Sequence, residues 1–324
     1  MASEPKRIFL HIGLHKTGTT YLQNLMRVNR APLCAAGVHY PGATGEPAPT
    51  RATRDLLRRS PRGYADPRIG GSWDALVATV RQQDLPTVVI SDEGLGGCRR
   101  GHVRRIVESF ADREVHAVLT VRDLARVVVS EWQEEIKNDR SWTWQDFVDA
   151  VRDEDATFGN GRAFWRRQDL VRKGEVWLTS LPAAHVHIVT VPKPGSPDDE
   201  LVERFMRVVN IDRTHLPNEP EWNNESVGVA GTEVIRRMNE RMGGRLNEPA
   251  YNRAVKATLV PLLAQHTKPA RFTLPVEELG WVSARADQMI EWIKTNRLPV
   301  SGDLEDLRVS VDHHQGRRPD DVTK

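Results

Sequence analysis

The chain has 324 residues, enough for one large domain or two modest ones with a sizeable core. Its 39% hydrophobic and 28% charged residues are those of a globular protein, and they argue against a fibrous or disordered class. A formal net charge of only +2 excludes a broadly basic protein, and the two cysteines, Cys34 and Cys98, make neither a disulfide framework nor a zinc site. No apolar run reaches membrane-spanning length and Met1–Arg7 is polar, so the expectation is a cytoplasmic protein with no membrane partner.

The first element is the most informative. Arg7 to Ile12 is a short apolar run of strand type, followed by Gly13, Gly18 and the hydroxyl residues Thr19 and Thr20, which open an amphipathic helix pattern. Strand, tight loop and helix start together form a phosphate cradle, because loop N–H groups and the positive end of the helix dipole point the same way. The spacing approaches the nucleoside-triphosphate loop G-x-x-x-x-G-K-[ST], but Thr19 occupies the lysine slot and the lysine stands inside the loop, at Lys16. The usual Mg²⁺ ligand arrangement is therefore unsupported.

Gly37–Pro41 reads as a short second strand ended by proline, and residues 41 to 70, rich in Pro, Gly, Ala and Arg, as a mobile insertion of the kind that forms lids or binding loops. A helix is expected near Ser72 to Gln83. Pro86 to Ser91 is an apolar strand that breaks into Asp92, Glu93 and Gly94. At the carboxyl end of a strand in a parallel sheet, either carboxylate could take a proton from a bound hydroxyl; both could equally cap the next turn. Arg99 to Arg105 is a basic group with no accompanying nucleic-acid module, and reads as a solvated helix face.

Val115 to Val121 is a third long apolar strand ending at Arg122, with Asp123 able to cap a following helix on which Ser130 lies two turns down. A guanidinium offers paired donors to a phosphate and a hydroxyl adds another.

The segment Lys16-Thr17-Gly18-Thr19-Thr20, followed about a hundred residues later by Arg122-x₇-Ser130, resembles the sulfotransferases that use 3′-phosphoadenosine-5′-phosphosulfate. Their first loop reads P-K-[ST]-G-T-[ST]; here His15 replaces the proline, which removes a fixed φ and no ligand. The resemblance implies that Lys16 contacts the bridging oxygen of the donor and that His15, Thr17, Gly18, Thr19 and Thr20 line its 5′ end. It implies that Arg122 and Ser130 hold the 3′-phosphate. Glu93 is the expected general base, with Asp92 as substitute. Bacterial members often carry Asn-x-Ser farther on, so Asn224 and Ser226 are expected to face the donor. The implied fold is α/β, a P-loop-type parallel sheet of about five strands with helices on both faces and a helical covering subdomain. The implied reaction moves a sulfuryl group to a hydroxyl, less readily an amine, of a small molecule or carbohydrate, without a metal and without nucleic acid. Rival readings are a P-loop nucleotide kinase and a non-catalytic nucleotide sensor.

From Glu131 to Trp177 the pattern is helical and rich in aromatics, which read mainly as core. Arg172-Lys173-Gly174 reads as a helix end with a glycine cap. His185 to Val191 is a further strand, whose His185 and His187 read as strand-end polar groups for want of further ligands at metal-site spacing. Helices are expected over 198–209, 229–242, 249–266 and 282–296. Residues 1–311 are expected to form a single domain, with 131–180 and 218–300 as helical covering regions, and 312–324 a disordered tail.

Overall fold

The computed structural model describes residues 5–60, 66–153, 159–221, 227–266 and 273–309. Six parallel strands form one sheet: β1 (Arg7–His11), β2 (Val38–His39), β3 (Thr87–Ser91), β4 (Glu114–Val121), β5 (Val186–Thr190) and β6 (Val300–Ser301), in the order β2-β3-β1-β4-β5-β6. This is the expected parallel α/β sheet, with one strand more than about five. β6 escaped the sequence reading because two residues carry no alternation; they become a strand only by pairing with Ile188 and Val189.

β1 lies between β3 and β4, so the chain builds outward from it in both directions. Right-handed crossovers running to opposite sides of a central strand put their helices on opposite faces of the sheet. The helices in chain order are α1 (Thr19–Val28), α2 (Arg30–Ala35), α3 (Pro49–Leu56), α4 (Ser72–Gln83), α5 (Arg100–Ser109), α6 (Leu124–Lys137), α7 (Trp144–Arg152), α8 (Gly159–Gln168), α9 (Leu170–Leu178), α10 (Glu200–Val209) and α11 (Gly228–Met242). A short helix α12 (Glu248–Tyr251), a π-helical stretch Asn252–Leu259, α13 (Val260–His266) and α14 (Leu279–Thr295) follow.

The chain divides into two compact units. The first, 1–122, 167–221 and 289–307, holds the sheet. Its core joins Phe9, Val89, Val118 and Val189 of the strands to Leu22, Leu25 and Met26 of α1 and to Val202, Phe205 and Met206 of α10. The second, 123–166, 222–288 and 308–324, is helical where described. Its core holds a run of rings from Trp132 through Trp144, Phe147 and Phe164 to Trp165, edge-on except for the tilted Trp144–Phe147 pair, with half-buried Trp281 edge-on to Trp165 and neighbouring centroids 5.0 to 6.5 Å apart. Such contacts stabilise beyond the area they bury. These aromatics are core, as the helical pattern suggested, and Trp142 instead lies half-buried beneath the Arg140 guanidinium.

Two sequence expectations change in physical detail. Residues 41–70 contain a helix, α3, which starts on Pro49 and buries Ala52, Thr53 and Leu56; Asp55 accepts the Trp73 N–H, joining α3 to the first turn of α4. Gly174 is no cap. It is buried inside α9, where a Cβ would come within 2.0 Å of the Trp292 ring, so absence of a side chain and not a turn explains the glycine. The tail, 312–324, lies outside the described residues.

Candidate functional site

The carboxyl ends of β1, β3 and β4 are neighbours in the sheet, and the loops after β1 and β3, with Arg122 directly after β4, lie in the first unit. Hydrogen bonds carry the sheet ladder beyond β1: Ile12 N–H donates to Val118 O and Leu14 N–H to Thr120 O. At Gly13, φ is +55° and a Cβ would meet Thr19 Cγ2 at 2.9 Å, so the loop doubles back onto its own helix. Lys16 sits in the left-handed region at φ +65°, a conformation that costs free energy in a non-glycine residue.

A buried relay of polar groups holds this turn. Thr17 Oγ1 donates to Leu14 O at 2.6 Å and lies 2.7 Å from Thr120 Oγ1. Having one proton and spending it on Leu14, Thr17 can only accept from Thr120. Thr120, its own proton spent, must accept from His11 Nε2 at 3.3 Å, which leaves His11 Nδ1 to accept from Ser91 Oγ at 2.8 Å. Ser91 Oγ in turn accepts from Gln23 Nε2 at 3.1 Å. The donor inventory thus puts a proton on His11 Nε2, and complete burial, which lowers its pKa to about 3, keeps the ring neutral and Nδ1 an acceptor.

Gly18, at φ +84°, is the N-cap of α1 and supplies no side-chain acceptor to the first turn. Leu201 of α10 closes on it so tightly that a Cβ would meet Leu201 Cδ2 at 2.5 Å. A ten-residue helix starting on Thr19 and Thr20, capped by glycine, presents its N–H groups and dipole to an anion.

The expected residues fall into distinct places. Thr17 is buried and its hydroxyl belongs to the relay, so it holds the loop's shape. Thr20 is exposed, and His15, Lys16 and Gly18 are half-buried along the loop. Thr19 Oγ1 donates to Glu93 Oε1 at 2.5 Å, and His15 Nδ1 lies 3.7 Å from Glu93 Oε2. Glu93, first residue of a short 3₁₀ turn (Glu93–Gly97) after β3, therefore faces the lysine loop. Asp92 instead caps that turn, accepting the Gly94 N–H at 2.6 Å; burial raises its pKa, opposed by hydrogen bonds from Thr50 and Gly94. Arg122, at the end of β4, donates from Nη1 to Lys16 O at 3.2 Å. Ser130 is half-buried on α6 in the second unit, and Asn224 and Ser226 lie outside the described residues.

Four residues that sequence reasoning missed brace the same loops. His11 and Ser91 form the relay; a polar residue at the last position of each of two apolar strands was the available signal. Gln168 Nε2 donates to His15 O at 2.9 Å, and Lys173 Nζ to Gly96 O at 2.7 Å, so side chains of α8 and α9 tie the two loops. Nothing local in the sequence marks either contact.

Fold and site together define a parallel α/β protein with a tight glycine loop between its central strand and α1, and with Glu93 and Arg122 bonded to that loop. No family model matches the chain, and no curated protein does. Among solved structures, a sulfotransferase from Alicyclobacillus acidocaldarius aligns over 78% of this chain and 100% of its own, at 12% sequence identity and a TM-score of 0.43. That likeness carries no statement about what this chain does. Among the described residues, no helix is long and apolar enough to cross a membrane.

Proposed function

We propose that the chain transfers a sulfuryl group from 3′-phosphoadenosine-5′-phosphosulfate to a hydroxyl, or less readily an amine, of a small molecule or carbohydrate. The observation that carries this reading is the Arg122 guanidinium on the backbone of Lys16, which sets a second cationic group on the rim of a lysine-bearing anion loop. A nucleoside triphosphate has no 3′-phosphate for this guanidinium to hold, whereas the proposed donor does.

In this proposal the acceptor oxygen attacks sulfur in line, the bond from sulfur to the 5′-phosphate oxygen breaks, and the phosphate keeps the electron pair. Lys16 and the first-turn N–H groups of α1 stabilise the charge gathering there, so position and electrostatics do most of the work. Glu93 takes the acceptor proton; Asp92, tied to its own turn, is the poorer candidate. Arg122 holds the 3′-phosphate, with Ser130 assigned to the same task by resemblance, as Asn224 and Ser226 are to the donor. The reading requires no metal at the reacting centre and places the protein in the cytoplasm.

The test is calorimetry with adenosine 3′,5′-bisphosphate against adenosine 5′-monophosphate, beside a sulfate-transfer assay on a panel of phenols, alcohols, amines and sugars. Preferential binding of the bisphosphate with transfer to one acceptor class supports the reading. Mg²⁺-dependent ATP turnover would replace it with a kinase, and bisphosphate binding without transfer to any acceptor with a nucleotide sensor.

A further inference from the structure

The amino-terminal ends of β4 and β5, at the far end of the strands from the lysine loop, hold a cluster that the proposed reaction does not use. Glu114 opens β4, His116 follows two residues later on the same face, and His185 ends the 3₁₀ turn (Ala183–His185) that leads into β5. One ligand atom from each of these three lies within 4.8 Å of the other two. His116 is the centre of the group. Its ring stacks on Phe9 with centroids 4.8 Å apart and lies 4.2 Å from the His185 ring.

Hydrogen bonding alone leaves this arrangement incomplete. His116 is 8% exposed, and its Nε2 is buried without a hydrogen-bond partner among the described residues. Burying a polar atom unmet costs free energy, so such atoms call for an explanation. The facing Glu114 Oε2 is 3.8 Å away, too far for a hydrogen bond. Two ligands on one tetrahedral ion with bonds of about 2.0–2.1 Å stand roughly 3.3 Å apart, so a small inward turn of the side chains would fit an ion between them. On the other side of the ring, His116 Nδ1 and His187 Nε2 are 3.0 Å apart. If Nδ1 donates there, the lone pair of Nε2 faces the gap, which is how an outer histidine orients a metal-ligating one.

We propose that Glu114, His116 and His185 bind one divalent transition-metal ion of the zinc class, with His187 orienting His116. Two imidazoles and a carboxylate are a borderline donor set suited to Zn²⁺ and Co²⁺ rather than to Mg²⁺ or Ca²⁺. The Glu114 side chain is 40% exposed and His185 half-buried, so both can close the remaining distance and a solvent ligand can complete the shell. Arg7 Nε reaches the same oxygen, Glu114 Oε2, at 3.4 Å, a long contact that leaves this carboxylate oxygen a second lone pair for the ion. The ion would tie the start of β4 to the turn before β5, a structural staple away from the reacting centre.

Titration of the metal-stripped full chain with ZnCl₂ by calorimetry, and with CoCl₂ by visible absorption, tests this directly. One equivalent should bind, with the intense d–d bands of a low-coordinate Co²⁺ site and a rise in melting temperature. His185→Gln and Glu114→Gln change half-exposed side chains and should weaken binding about tenfold or more; His116→Gln should abolish it. A His313→Gln/His314→Gln variant, which removes the adjacent histidine pair near the chain end, should bind as the parent does. Failure of the parent to bind one equivalent overturns the proposal, as does binding unchanged in both His185→Gln and Glu114→Gln, or lost with His313 and His314.

Discussion

Thr17 Oγ1 and Thr120 Oγ1, 103 residues apart in the chain, share a hydrogen bond of 2.7 Å inside the first unit. Through that bond the lysine loop is fastened to β4, the strand whose end carries Arg122. Thr17→Val should leave Thr120 without its acceptor and Leu14 O without its donor, at a cost of about 1–3 kcal/mol, read as a lower urea midpoint with unchanged slope. Thr17→Ser keeps the hydroxyl and should retain most of the stability. Equal midpoints for the Val variant and the parent would remove the relay from any structural role.

His11 predicts a direction for pH dependence. Its pKa lies at about 3 in the folded chain and at 6.5 when exposed, so between those values the unfolded state binds the extra proton. Stability contributed by neutral His11 is therefore complete above pH 6.5 and is lost as pH falls below it, by up to about 1.4 kcal/mol per pH unit. Urea unfolding at pH 7, 6 and 5 should show a shallower decline in His11→Asn, which has nothing to titrate. Parallel declines in the two proteins would mean that the group is not held neutral.

Lys16→Ala and Arg122→Ala should fail differently. Loss of Lys16 removes charge stabilisation that grows in the transition state, so turnover should collapse while binding of adenosine 3′,5′-bisphosphate changes less. Loss of Arg122 removes a charge-assisted phosphate contact in the ground state, weakening bisphosphate binding by about 1.5–3 kcal/mol in calorimetry. The same affinity in Arg122→Ala as in the parent would move the 3′-phosphate elsewhere.

Glu93→Gln keeps size and an acceptor for Thr19 but removes basicity. The transfer rate should fall by about 10²–10⁴, with bisphosphate affinity retained or raised as a negative charge leaves the loop. A full-rate variant would take the base role from Glu93.

The long apolar runs made most of the sheet legible: β1, β3, β4 and β5 fall where alternation gives way to Gly, Asp, Arg or Pro. The loop was legible too, since Gly13 and Gly18 occupy positive φ as a tight cradle requires. Contacts between distant residues were not. Gly174 took its meaning from Trp292, and Gln168 and Lys173 from carbonyls of loops far away in the chain. His185 and His187 looked isolated because the sheet register, and not sequence spacing, sets His187 beside Val118 and near His116.

Thr19 has a single hydroxyl proton, and the Glu93 carboxylate already receives it. An anion that claims that proton at the start of α1 must first evict the carboxylate, so filling the cradle and freeing the glutamate are two faces of one exchange. In the proposed reaction, donor occupancy of the loop is in this way coupled to the freedom of the Glu93 carboxylate.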